Sequence, residues 1–477
     1  MVSNELKKFN MEEDEPVSPT GQYFNSSVLS VSILAFFESD KPIDDSPTIV
    51  TLENSFLPVN PRFSSIMVKD EHGVQNWKRV NVNLEEHVKI PTFPAGLESY
   101  DEYVHEYIAK IAMEPFSQSR PLWELHLIKY PTKHAEGVMV FKLHHALGDG
   151  FSLMGALFSM VQRADKPSLP LTFPSSHAKS QNDDDHHGST VWETLCSAFS
   201  VGFNTICDFG WSFLKSTLIE DDKTPIRSGD PGVEFRPITI STVTFSLNDI
   251  RRIKAKLGGT VNDVMSGIIF YGTQLYLHTA SKSSSISSKY SKVTALVLLN
   301  TRVISNYQNL QEMTNPDAKS PWGNQFGFIH VSVPSSTEDL EKGNPLDFVM
   351  KARETINAKR NSLGVFLTGR LLEMLRKMRG PEVTAQYVHS TLKNTSMTVS
   401  NLIGPMEQMQ IAGQNCRSLY FMVVGVPQSL TITMVSYNGK IKVAMGTEKG
   451  FIDSELLVSC MEKSFQRIFT ASGAKTC

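Results

Sequence analysis

The stretch that most constrains this chain is Val138-Met-Val-Phe-Lys-Leu-His144-His145-Ala-Leu-Gly-Asp149-Gly150. Val138 to Leu143 is β-branched and apolar over about one strand's length, and Phe151 to Val161 repeats apolar residues at the spacing of a buried helix. Two histidines, a carboxylate and a glycine therefore stand at a strand-to-helix junction. Such a junction holds a side chain rigidly at a sheet edge while leaving it open to a cleft, as a general base requires. A neutral imidazole titrates near neutrality, so it can take a proton from a hydroxyl and return it to a leaving group. A metal site is disfavoured, because adjacent residues of an extended strand point to opposite faces.

At 477 residues the chain is too long for one ordinary core and implies two domains of roughly 200 residues each. The net charge of −3 offers no general attraction for nucleic acid. Cys196, Cys207, Cys416, Cys460 and Cys477 form no CxxC pair, which fits a reducing compartment and signals neither a disulfide framework nor zinc. The charged first fifteen residues lack the apolar core of a secretory signal, so a cytosolic face is expected. Val264 to Ser281 and Ser418 to Gly439 are long and uncharged, but the polar residues, glycine and proline inside them favour a buried helix and strands over membrane spans.

Taken in order, residues 1–15 read as a disordered tail and 16–164 as a first domain. Its elements include a strand over Val28 to Phe37, a strand over Ser65 to Val68, a helix over Tyr100 to Met113 and a strand over Arg120 to Ile128, in which Trp123 and His126 read as packing residues. The composition then shifts to Pro, Ser, Asn, Asp and His, and 165–234 is expected to be a linker. It contains Asp183-Asp-Asp-His186-His187, too flexible a run to fix a metal, and the aromatic stretch Val191 to Leu218. That stretch suits either an interfacial membrane helix or a helix packed between domains. A second domain over 235–477 opens with a strand, a short basic helix and Gly258-Gly-Thr260-Val-Asn262-Asp263. Thr260 and Asp263 have capping-box spacing, which leaves Asn262 unexplained by helix initiation. Asp347 to Leu363 and Leu371 to Arg379 read as helices, and the strands from Met397 to Gly446 precede a last helix over Ser454 to Phe469. Two α/β halves of this kind suit a pseudo-dimer with a ligand cleft between them.

The pattern His144-His145-x-x-x-Asp149-Gly150 resembles the signature of the acyltransferase superfamily that includes chloramphenicol acetyltransferase and peptide-synthetase condensation domains. With Pro16-Val-Ser-Pro19, Pro61-Arg-Phe, Arg120-Pro-Leu-Trp123, Asn262-Asp263, Gly323-Asn324 and Ser400-Asn401-Leu-Ile-Gly404-Pro405, the chain resembles the plant wax ester synthase/diacylglycerol acyltransferase family over nearly its whole length. The family's last motif usually reads Ser-Asn-Val-Pro-Gly-Pro, and here Leu-Ile replaces its apolar pair. Asp208-Phe-Gly-Trp211 resembles a motif of other plant acyltransferases, but its mid-chain place and the Ser212 that follows mark it as coincidence.

The resemblance implies two chloramphenicol-acetyltransferase-like domains around a tunnel. It also implies transfer of an acyl group from acyl-CoA, a co-substrate needing no bound cofactor, to a long-chain alcohol or diacylglycerol at the cytosolic face of the endoplasmic reticulum membrane. In that scheme His145 is the base, with His144 shaping its surroundings. Asp149 orients the loop through an arginine, for which Arg302 is the candidate, and Gly150 permits the turn into the helix. Asn262 assists the oxyanion, Asp263 holds its helix start, and Ser400 and Asn401 line the acyl side. The competing readings are a soluble acyltransferase for small plant alcohols or amines and a non-catalytic lipid-binding relative.

Overall fold

The computed structural model describes residues 15–71, 74–174, 205, 208–283, 292–301, 322–335, 340, 342–360 and 362–474. The first half contains β1 (Glu15–Pro16), α1 (Pro19–Phe24), β2 (Ser32–Ser39), α2 (Asp45–Thr51), β3 (Ser65–Lys69), β4 (Gln75–Arg79), α3 (Leu84–His87) and β5 (Val88–Lys89). It continues through α4 (Asp101–Met113), β6 (Trp123–Ile128), β7 (Gly137–His144), α5 (Gly150–Phe158) and β8 (Val161–Arg163). A helix over 208–217, here α6, leads to β9 (Ile238–Ser246), α7 (Leu247–Leu257), α8 (Val261–Ser283), β10 (Thr294–Asn300) and β11 (Phe326–Ser332). The chain ends with α9 (Leu346–Arg360), α10 (Gly364–Arg379), α11 (Pro381–Lys393), β12 (Met397–Ile403), β13 (Met409–Ile411), β14 (Gln414–Val424), β15 (Leu430–Tyr437), β16 (Lys440–Glu448) and α12 (Ser454–Ala471).

The strands form two large sheets, of order β5-β6-β7-β2-β14-β13-β8 and β11-β10-β12-β15-β16-β9. In the first, β7 is paired antiparallel on both sides, with His144 opposite Ser32 of β2 and Leu143 opposite Trp123 of β6. Every residue of β2, β6 and β7 is buried, as expected of strands covered on both faces. Around them lies a core including Phe36, Phe56, Phe63, Trp123 and Phe141, while α8 and α12 pack with the second sheet in a separate core. The strand that delivers the histidines is thus held at the centre of its sheet.

The division expected at 165–234 separates neither the two cores nor the two sheets, since Trp322, Met409, Phe421, Val435 and Ala444 pack in the first core. Residues 409–424, assigned by sequence to the second domain, cross over and complete the first sheet, with Phe421 of β14 opposite Ala35 of β2. The cause is the edge that β2 presents on the side away from β7, which needs a strand apolar on both faces; Leu419 to Met422 are all buried there. The expected linker is also not uniformly a linker. Asp221 is buried, forms an ion pair with Lys215 and accepts from the Thr294 amide and the Ser396 hydroxyl at 2.6 Å, and so ties this segment to β10 and to the residue just before β12. Helix α11, which the sequence reading left unassigned, starts with proline at its first position and buries Thr384, Ala385, Val388 and Thr391. The run Asp183 to His187 and the first part of the aromatic stretch, through Trp192, Leu195, Phe199, Phe203 and Ile206, lie outside the described residues. Among those described, no helix is long and apolar enough to cross a membrane.

The chain leaves β14 for the other sheet through Gly425, whose φ is +80°, and a Cβ there would overlap the Ser30 carbonyl oxygen. Gly425→Ala is therefore expected to destabilise the protein by about 2 kcal/mol or more. A chemical-denaturation midpoint equal to that of the wild type would refute this account of the crossover.

Candidate active site

Strand β7 ends at His144, and Asp149 caps α5 by accepting from the Ser152 amide at 2.9 Å. The intervening loop is fixed from several directions. The His145 amide donates to the Val31 carbonyl at 2.9 Å, and the Leu147 carbonyl accepts from Trp322 Nε1 at 2.8 Å and from Arg62 Nη1 at 3.3 Å. Asp149 has a second role, its other carboxylate oxygen accepting from the Gln325 amide at 2.9 Å. The Ser152 hydroxyl donates to the Gly323 carbonyl at 3.1 Å. Trp322 to Gln325, from the second half of the chain, thus lies along the whole loop.

The two histidines have different environments. His144 is fully buried; its Nδ1 accepts from the Ala146 amide at 3.1 Å, which leaves the proton on Nε2 to face the Ser30 hydroxyl at 3.1 Å. Burial, with the neighbouring His145 and Lys142 adding to it, pushes its pKa down to about 3. It is a neutral structural imidazole with both nitrogens committed. His145 is 9% exposed and lies against the rings of Phe24 at 4.8 Å and Phe326 at 5.3 Å. Its Nδ1 meets Asn324 Oδ1 at 2.8 Å, while Asn324 Nδ2 donates to the His145 carbonyl at 3.0 Å. Because the amide nitrogen is committed to that carbonyl, Oδ1 can only accept, so Nδ1 carries the proton and Nε2 is left with its lone pair. Burial lowers the pKa of His145, and the Asp149 charge and the Asn324 hydrogen bond counter part of that effect.

This arrangement can abstract a proton at His145 Nε2 with the tautomer set in advance. The sequence reading singled out the histidine but assigned no role to Asn324, although Gly323-Asn324 and Pro61-Arg-Phe were both visible as short motifs. What hid their role is distance along the chain, since 179 residues separate Asn324 from its partner.

The remaining expected residues fall in three groups. Gly150 opens α5 without a left-handed backbone, so the tight turn expected of it is made by the Asp149 cap instead. A Cβ at Gly150 would lie 3.4 Å from Leu402, which brings the end of β12 against the helix start. Thr260 and Asp263 form the expected capping box, the Thr260 amide donating to Asp263 at 2.8 Å and the Asp263 amide to Thr260 Oγ1 at 3.1 Å. Asn262 is exposed, and its Oδ1 accepts from Asn401 Nδ2 at 2.5 Å, so the two expected substrate contacts pair with one another and tie α8 to β12. Ser400, the neighbour of Asn401, is buried in β12 opposite Thr433. Arg302 lies outside the described residues. His126, read as a packing residue, is buried with its Nδ1 at 2.7 Å from the Tyr107 hydroxyl.

Residues 26–205 match the family model of the wax ester synthase/diacylglycerol acyltransferase catalytic domain, and residues 322–469 match that of the WS/DGAT C-terminal domain. Wax ester synthase/diacylglycerol acyltransferase 4 of Arabidopsis thaliana is 30% identical, with 96% of this chain and 91% of the relative covered. Number 5 of the same plant series is also 30% identical, over 97% and 95%. Among solved structures, the wax ester synthase/diacylglycerol acyltransferase from Marinobacter aquaeolei VT8 superposes with a TM-score of 0.59 at 16% identity, covering 96% of this chain and all of that one. The first condensation domain of the CDA synthetase gives 0.51 at 13% identity, over 93% and 92%. These likenesses establish the mixed α/β fold of two acetyltransferase-like halves.

The Asn324 bond yields a two-part expectation. Asn324→Ala frees the ring and its tautomer, and kcat is expected to fall roughly a hundredfold with donor KM little changed. Asn324→Asp places a carboxylate on Nδ1–H and raises the His145 pKa. A base must be unprotonated, so the acid limb of the pH–rate profile, which lies below the usual histidine range in the wild type, moves to higher pH in that variant. Coincident acid limbs for wild type and Asn324→Asp would exclude His145 as the titrating base.

Proposed function

The chain belongs to the wax ester synthase/diacylglycerol acyltransferase family, and on that premise we propose that it transfers an acyl group from acyl-CoA to the hydroxyl of a long-chain alcohol or diacylglycerol. The observation that carries this reading is the His145–Asn324 pair, which leaves one unprotonated imidazole nitrogen on a ring set between Phe24 and Phe326. His145 Nε2 takes the hydroxyl proton as the alcohol oxygen attacks the thioester carbonyl. The tetrahedral intermediate then collapses with cleavage of the carbon–sulfur bond, and the imidazolium returns its proton to the coenzyme A sulfur. Ester and free thiol are the products, and neither a covalent enzyme intermediate nor a bound cofactor enters the scheme.

Phe24 and Phe326 suit this chemistry, since an apolar wall favours the neutral base and disfavours water as a competing acceptor. The acceptors are lipids, and we place the protein at the cytosolic face of the endoplasmic reticulum membrane. Supporting that placement, Trp211, Phe213 and Leu214 of α6 and Leu218 just beyond it expose large apolar side chains.

Purified protein supplied with palmitoyl-CoA and hexadecanol is expected to release coenzyme A and form wax ester, and His145→Ala to lose at least a thousandfold in rate. Dioleoylglycerol as acceptor distinguishes triacylglycerol synthesis from wax synthesis. Lipid binding without thioester consumption on either acceptor would instead establish a non-catalytic relative.

A further inference from the structure

Helix α10 is rich in apolar residues and hardly buried. Half of its 16 residues are Val, Phe, Leu or Met, yet only Gly364 and Thr368 are buried. Phe366, Met374 and Met378 are 58%, 52% and 74% exposed, and with Arg370 they recur every four positions, which sets them along one side of the helix. The start of α10 lies against α6, where a Cβ at Gly364 would be 3.4 Å from Asp208 Cβ, and α6 adds the exposed Trp211, Phe213 and Leu214. So much large apolar side chain left in water on two neighbouring helices marks a surface that meets something.

Charge and position narrow the partner. Arg370, Arg376, Lys377 and Arg379 of α10 face a single acid of the same helix, Glu373, in a chain whose net charge is −3. Lys377 meets Glu373 at 2.9 Å, and among the described residues neither Arg376 nor Arg379 meets an acid. An apolar line flanked by bases fits an anionic bilayer, whose acyl region takes the one and whose phosphates take the other. A second copy of this chain seated symmetrically would set these bases against their own duplicates, which disfavours it. The other side of α10 reaches the candidate active site. Val365 fills the space that Gly327 of β11 leaves by having no Cβ, and Leu372 packs on the cluster that holds Phe24 and meets Phe326, the two rings against His145.

We propose that α10, with α6 beside it, seats the protein on an anionic bilayer, and that the acceptor passes from the lipid along the inner side of α10 to His145. This rests on the lipid-acceptor reading above and adds the surface that docks and the charge of the lipid it takes. A long-chain alcohol dissolved in the bilayer then reaches the base without crossing water.

The test uses the full chain and vesicles of phosphatidylcholine, alone or in equal parts with phosphatidylserine. The wild type is expected to co-sediment with the anionic vesicles, and the double variant Lys377→Gln, Arg379→Gln to bind them roughly tenfold more weakly. Met374→Ser with Met378→Ser removes the apolar contact at exposed positions and should weaken binding in the same direction. With palmitoyl-CoA as donor, the charge variant is expected to raise the KM for hexadecanol carried in anionic vesicles about tenfold, while kcat and the KM for hexadecanol in neutral detergent micelles stay within about twofold. Equal vesicle binding by wild type and variants, or wild-type binding indifferent to phosphatidylserine, would overturn the proposal. So would a wild type that ignores vesicles but forms a dimer that these variants dissociate, or lost vesicle binding with an unchanged hexadecanol KM. Weakened vesicle binding in the variants, with no turnover by the wild type on any acceptor, would support the docking surface while refuting the acyl-transfer reading.

Discussion

The structure depends on how residues 145–152 are clamped to Trp322–Gln325. Neither segment has regular secondary structure throughout, and each carries backbone groups that a buried loop must satisfy. They satisfy one another: Asp149 accepts from the Gln325 amide, Ser152 donates to the Gly323 carbonyl, Trp322 donates to the Leu147 carbonyl, and Asn324 brackets His145 through both its ring and its carbonyl. The bonds are individually modest, but removing one partner leaves a buried polar group without compensation, so the set resists loosening piece by piece. Because one segment of the clamp comes from each half of the chain, the His145 ring is oriented only when both halves are folded and docked. The crossover of β13 and β14 into the first sheet acts in the same sense, since it makes the first sheet incomplete without the last quarter of the chain.

The two histidines show how burial alone can be made to serve different ends. Both lose the ability to carry charge easily, and both are neutral at physiological pH, yet only His145 leaves a ring nitrogen uncommitted. His144 spends Nδ1 on the Ala146 amide and Nε2 on Ser30, and so becomes a rivet between β7 and the residues preceding β2. Lys142, two residues earlier on the same face of β7, reinforces its neutrality: the ammonium donates to the Glu114 carbonyl at 2.5 Å and lies 4.6 Å from the Phe116 ring, which in turn packs on His144. A second positive charge beside that ammonium is disfavoured. His145 keeps Nε2 uncommitted because its partner is an amide, which fixes the tautomer without adding a charge that would trap the proton once taken.

Local pattern made the elements legible, and distance hid the site's assembly. The run from Val138 to Gly150 announced a strand, a junction and a helix, and β7 and α5 lie within a few residues of that reading. Thr260 and Asp263 announced a capping box that formed as spaced. By contrast, the 45–64 region is built of short irregular helical turns, whose sequence carries no sustained period. The membership of β14 was invisible for a different reason. A strand apolar on both faces declares that it is buried but not between which neighbours, and β15, its successor in the chain, belongs to the other sheet. Asn262 was legible as a polar residue that helix initiation does not explain, and its partner proves to be Asn401 of β12.

These cases share a physical rule about which functional residues a single sequence can reveal. A residue whose role is exercised within one turn or strand leaves a spacing, as the capping carboxylate of Asp149 does toward Ser152 three positions on. A residue whose role is exercised across the fold leaves only its own identity, a polar side chain beside a glycine, as Asn324 does beside Gly323, whose φ of +134° suits a residue without a Cβ. In this chain the glycine is the more informative of the pair. It permits the backbone course on which the neighbouring amide bonds both the ring and the carbonyl of His145, so the tautomer of one side chain is set by a backbone conformation beside a residue 179 positions away in sequence.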